Sequence, residues 1–201
     1  MSPTPSQWRT FFAIRLEPTL PLQAALAALQ RWSSVVRSVS PDHLHLTVRF
    51  LGDLAPAAVP DLAEAAQLAV SDVVAFSLSL TGVLSFQSRG RLSVIWVGVR
   101  DHPQLQRLSS NLDAALEPLG IRPDSRPFHP HLTLGRVRAR PPVPMLHWLD
   151  TQRDTDFGLF PVSSLELLRS ELTPKGPVYS LLETIPLPRP KSPETAHPAE
   201  L

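Results

Sequence analysis

Two short phrases of the chain hold residue types that carry protons. The first is His43-Leu-His-Leu-Thr-Val-Arg-Phe-Leu-Gly52, and the second is Phe128-His-Pro-His-Leu-Thr-Leu-Gly-Arg136. Their common kernel, His-Leu-Thr, stands at His45 to Thr47 and at His131 to Thr133, 131 − 45 = 86 residues apart. Side chains alternate between the two faces of a strand, so each imidazole shares a face with a hydroxyl two residues on. In the first copy His43, His45, Thr47 and Arg49 fall on one face, with Leu44, Leu46, Val48 and Phe50 behind. In the second, His129, His131 and Thr133 face one way and Pro130, Leu132 and Leu134 the other. Arg136 has the wrong parity for the histidine face, and Gly135 before it would permit a bulge that turns it inward.

A pair of such strands around one cleft suits in-line displacement at phosphorus. One imidazole takes a proton from the attacking oxygen while the other protonates the leaving oxygen, roles that two histidines hold near neutral pH. The threonine hydroxyls donate to non-bridging phosphate oxygens, and an arginine balances the charge gained in the transition state. These residues alone leave open which histidine is the acid. The chemistry requires no metal and no cofactor. Four histidines invite a metal-site reading, but no Asp or Glu shares their strand faces and His-X-His alone is a weak ligand pattern. One His-X-Thr on a strand is commonplace; two copies at matching places, each followed by an arginine, are not.

Periodicity predicts the elements that carry the phrases. Thr10–Leu16 reads as a strand and Leu20–Trp32 as a helix, with Leu22, Ala25, Leu26, Leu29 and Trp32 at helical spacing. Leu44–Leu51 is the first motif strand, followed by an Ala-rich helix over Pro56–Val70. Phe76–Leu80 and Val83–Phe86 read as two strands turned at Thr81-Gly82, and Leu92–Val99 as a buried strand. Asp101-His102-Pro103 opens a helix that runs to Leu119, with Gly120 as its C-cap. The second motif strand spans about His129–Val137, then come a helical turn over Met145–Leu149 and strands at Phe157–Phe160, Ser164–Leu172 and Val178–Pro186. Two halves of similar plan, each with a His-Leu-Thr strand after a helix, resemble an internal duplication. Adjacent strands with helices to one side make the fold class α+β, in one bilobal unit over residues 9–187 with a disordered tail over 188–201. On composition alone Phe12, Trp96 and Phe128 read as core, His102 as a helix-start residue, and His147 and His197 as surface or tail.

The chain of 201 residues is 43% hydrophobic and 18% charged, a globular profile. With a formal net charge of +1 no long basic surface is expected, so contact with a nucleic acid should be local, as at a strand end. The absence of cysteine removes thiol nucleophiles, disulfides and Cys-based zinc sites. With no signal peptide and no membrane-spanning apolar run, a cytoplasmic monomer is expected.

The motif segments Leu44–Gly52 and Arg126–Arg136 are similar to the paired His-X-Thr signatures of the 2H phosphoesterases, in particular the RNA 2′,3′-cyclic phosphodiesterases, historically 2′-5′ RNA ligases. Phe11-Phe-Ala-Ile14, Val94-Ile-Trp-Val-Gly98 and the Ser170…Gly176…Tyr179 stretch extend the resemblance over most of the chain. It implies lobes of antiparallel sheet flanked by helices, with the cleft between them. It implies hydrolysis of a terminal RNA 2′,3′-cyclic phosphate to a 2′-phosphomonoester, with 2′-5′ ligation as the reverse. His45 would be the proton donor, His131 the base, Thr47 and Thr133 the phosphate holders, Arg136 the phosphate-contacting arginine and Phe12 a base contact. Arg49 and His129 are added as further cleft residues. Rival readings are a 2H enzyme acting on small cyclic nucleotides or ADP-ribose cyclic phosphate, and a non-catalytic RNA- or nucleotide-binding module.

Overall fold

The computed structural model describes residues 7–190 apart from Asp101 and Lys175. The apolar patterning resolves into β1 (Trp8–Arg15), α1 (Leu20–Gln30), β2 (Val36–Ser38), β3 (His45–Leu54), α2 (Val59–Val70), β4 (Phe76–Ser88), β5 (Arg91–Val99), α3 (Pro103–Leu116), β6 (His131–Val137), α4 (Val143–Thr151), β7 (Asp156–Val162), β8 (Ser164–Thr173) and β9 (Gly176–Pro186). Helix starts follow local chemistry. The His102 imidazole caps α3 by accepting from the Gln104 amide at 3.3 Å, and Gly120 ends the following 3₁₀ turn at φ +76°.

The expected α+β class holds. One antiparallel path runs β7-β4-β5-β6-β3-β1-β8-β9, with β2 added on β6. The lobes are not the two halves of the chain. β1 and β3 join the C-terminal β8 and β9, under α2 and α3, whereas the middle of the chain supplies β4 to β7. α1 crosses from the first lobe to pack on β2 and β7 of the second, and the Thr19 hydroxyl donates to the Phe157 carbonyl at 2.9 Å. The reason is pairing: β1 bonds to β3 on one side and to β8 on the other, so the chain's two ends close one lobe.

Three local expectations are corrected. Phe76–Phe86 is not two strands with a turn but part of one strand, with a register shift at Gly82. Gly82 has φ +72°, its amide donates to the Thr155 carbonyl at 2.8 Å, and a Cβ there would collide with the Arg153 carbonyl. β2 went unforeseen: three residues carry too little periodicity to register. Trp8, which on its polar, proline-bearing surroundings reads as part of a frayed terminus, belongs to β1. Of the expected disordered tail, residues 188–190 carry no regular structure and 191–201 lie outside the described residues.

Apolar burial divides between the sheet's faces. The large core lies under the helices, and includes Phe12, Leu44, Leu46, Leu132 and Leu134. A small second cluster of Phe11, Ala13 and Leu168, with Tyr179 against it, lies on the opposite, concave face. No helix among the described residues is long and apolar enough to cross a membrane.

Candidate active site

The two kernels meet across the join between the lobes. Leu46 of β3 pairs with Leu132 of β6, both fully buried, in an antiparallel bridge. Antiparallel register around that bridge sets His45 toward Thr133 and Thr47 toward His131, all on the face away from the leucines. Each imidazole is held by the backbone two residues upstream. His45 Nδ1 lies 2.7 Å from the His43 carbonyl, and His131 Nδ1 lies 2.9 Å from the His129 carbonyl. A carbonyl only accepts, so Nδ1 carries the hydrogen and Nε2 is the atom left to exchange protons in the cleft.

The walls are aromatic. Tyr179 meets His45 edge-on with ring centroids 4.9 Å apart and His43 at 5.4 Å, and Phe11 lies 5.2 Å from His45. Phe86 and Trp96 stack on one another at 4.6 Å and present to His131 at 5.1 Å and 5.8 Å. The His129 ring joins them, 5.4 Å from Trp96. Burial lowers the affinity of the His45 and His131 imidazoles for a proton, more than their backbone bonds raise it. Nearby positive charge lowers it further: His43, Arg15 and His131 act on His45, and His129 and Arg136 act on His131. Burial also raises the Tyr179 phenol, which stays a hydrogen-bond donor.

One defect, made twice, decides which arginine reaches the cleft. Thr133 pairs with Trp96 and Gly135 with Ile95, so Leu134 is the extra residue of a bulge. Gly135 therefore faces the core, where a Cβ would sit 2.7 Å from Val36 Cγ1, and Arg136 turns to the histidine face as expected. The first copy carries the same bulge: Thr47 pairs with Ala13 and Arg49 with Phe12, which leaves Val48 extra. Here the result overturns the expectation. Arg49 is not a cleft residue; it is 7% exposed, ion-paired to Asp113 of α3 at 2.9 Å and bonded to the Arg122 carbonyl. Phe50, 53% exposed, takes on β3 the place that Arg136 has on β6.

Phe12 is corrected for the same reason. Paired with Arg49, it lies fully buried in the helical-side core, as its composition suggested, while Phe11 contacts the His45 imidazole. His43 sits in a 3₁₀ turn over Pro41–His43 rather than on the strand, and contributes its carbonyl and its ring. Tyr179, Phe11, Phe86 and Trp96 were not assigned site roles from sequence. Tyr179 is the single tyrosine of the chain, which was the available signal.

Comparisons place this geometry. Residues 18–174 match the model of the 2′-5′ RNA ligase superfamily. A protein of Archaeoglobus fulgidus named RNA 2′,3′-cyclic phosphodiesterase is 34% identical over 146 residues, 73% of this chain and 81% of its own. One of the same name from Thermus thermophilus is 33% identical over 190 residues, covering 89% and 90%. Among solved structures, TT0787 of Thermus thermophilus superposes with a TM-score of 0.74 at 31% identity, covering 90% of this chain and 98% of that one. LigT of E. coli, in its apo form, superposes with a TM-score of 0.69 at 26% identity over 92% of this chain and 99% of its own. With the family model spanning most of the chain and both His-X-Thr kernels in one cleft, this protein belongs to the 2′-5′ RNA ligase superfamily of 2H phosphoesterases.

Proposed function

We propose that this protein hydrolyses the 2′,3′-cyclic phosphate end of RNA to a 2′-phosphomonoester. The observation that carries the reading is the matched pair of imidazoles, each locked by a backbone carbonyl with Nε2 free, on either side of the Leu46–Leu132 bridge. Relatives named RNA 2′,3′-cyclic phosphodiesterase support the substrate class.

Water attacks phosphorus in line and gives its proton to His131 Nε2. The bond from phosphorus to the 3′-oxygen breaks, and that oxygen takes a proton from His45 Nε2. Proton exchange with solvent then restores both imidazoles. Thr47 and Thr133 donate to the non-bridging oxygens, and Arg136 balances their charge. Arg136 beside His131 disfavours its protonated form, which suits a base. Arg15, which acts on His45 in the same sense, is ion-paired to Glu166 at 3.0 Å. His129 holds the base through its carbonyl, and Phe50 offers a half-exposed face to the terminal base. No metal is needed, and the described residues contain no group of three His, Cys, Asp or Glu able to hold one. With a 5′-hydroxyl in place of the attacking water, the same displacement of the 3′-oxygen makes a 2′-5′ linkage.

The test is end analysis after incubating an RNA oligomer carrying a 2′,3′-cyclic phosphate with the protein and excess chelator. A 2′-phosphate product is expected. A 3′-phosphate would exchange the leaving oxygen, and no turnover would sink the reading.

A further inference from the structure

The unforeseen strand β2 brings a second arginine to the concave face. Arg37 pairs directly with Arg136, between Val36↔Val137 and Ser38↔Gly135. Paired residues share a face, and Val36 is in the core, so Arg37 stands with Arg136 on the cleft side. Its guanidinium reaches across to the far edge strand, where it lies against Gly176 at the start of β9. Gly176 has φ +128°, and any Cβ there would overlap that guanidinium. The curl of the sheet thus lets Arg37 close one end of the trough over β3, β1 and β8.

Two cationic side chains directly opposite each other on neighbouring strands repel. Some arginines of the chain are matched with acids, as Arg15 is with Glu166, Arg49 with Asp113 and Arg169 with Glu171. Among the described residues no carboxylate pairs with Arg37 or Arg136. Uncompensated and adjacent, with Arg37 half-buried and Arg136 exposed, the pair is suited to anions. Arg136 shares the histidine face of β6 with His131 and Thr133, where the proposed reaction puts the reacting phosphate. Arg37, drawn over toward Gly176, is left for a second anionic group.

We propose that Arg37 binds the internucleotide phosphate next to the cyclic end, so that the cleft selects RNA strands over single nucleotides; this rests on the RNA-end reading above. A short strand held by two phosphate contacts fits a chain whose net charge is only +1.

The experiment compares three substrates: a nucleoside 2′,3′-cyclic phosphate, a dinucleotide ending in the cyclic phosphate, and that dinucleotide with an uncharged methylphosphonate linkage. In Arg37→Met, which keeps the apolar stem beside Gly176, kcat/KM for the dinucleotide relative to the mononucleotide should fall about tenfold, the size of one charge-assisted hydrogen bond. The fall should appear in KM, and Arg37→Lys should recover part of it. Wild-type protein should lose the same factor on the methylphosphonate, and Arg37→Met should lose nothing more there. An equal fall on mononucleotide and dinucleotide, or indifference of the wild type to the neutral linkage, overturns the role of Arg37 while leaving the phosphodiesterase reading intact. Failure of the wild type to open any cyclic end overturns both. Should Arg37→Met fold poorly, the wild-type comparison of charged and neutral linkages decides alone.

Discussion

Leu46 and Leu132 form the bridge between the two histidine strands, and neither touches solvent. This buried pairing sets the distance across which the two His-X-Thr kernels face each other. Around it each histidine is brought toward the threonine of the other copy, so that both lobes contribute an imidazole and a hydroxyl. The site exists only when the lobes are joined.

His131 is one of the positive charges that lower the proton affinity of His45. Activity needs one protonated and one neutral ring, so kcat/KM should trace a bell in pH. Burial and neighbouring cations lower both groups, so both limbs should move to the acid side of about 6.5, the value of an unperturbed histidine. A profile that is flat from about pH 5 to 9, or one centred on the alkaline side, would contradict the pair.

His45→Ala and His131→Ala should each lower kcat by about 10²–10⁴-fold. Because the two protons are passed in one displacement, the double variant should be little worse than the poorer single one. Losses that multiplied would mean two independent roles.

The two arginines after the kernels should behave oppositely. Arg136→Ala is expected to cost about 10²-fold or more in kcat/KM with little change in melting temperature. Arg49→Ala removes the partner of Asp113, whose side chain is 33% exposed, so the loss should be about 1–3 kcal/mol of stability rather than that of a fully buried pair. Denaturant melts beside steady-state kinetics separate the two; a catalytic defect in folded Arg49→Ala would return it to the cleft.

Phe11 and Phe12 make a similar contrast. Phe12→Leu should lower stability by about 1–2 kcal/mol and leave the pH profile in place. Phe11→Leu loosens the packing against His45, and with less desolvation one limb of the bell should move up in pH. Profiles that shifted for Phe12→Leu instead would reverse the strand register.

What the sequence by itself determined was the chemistry and the class of scaffold. The kernels, the leucines behind them, the helix caps at His102 and Gly120 and the α+β pattern are local, and a strand's alternation follows from its backbone alone. The tertiary structure decided which way later residues turned. A bulge is a mismatch between two strands, and it flips every side chain after it. Alternation predicted Arg49 inward. The bulge at Val48 sent it to Asp113, while the same bulge at Leu134 delivered Arg136. The pairing of distant strands likewise set Phe11 rather than Phe12 against His45, and placed Tyr179 beside the same ring. It also carried Arg37, on a strand too short to foresee, across to Gly176. These contacts join residues far apart in the chain, and only the closed sheet brings them together.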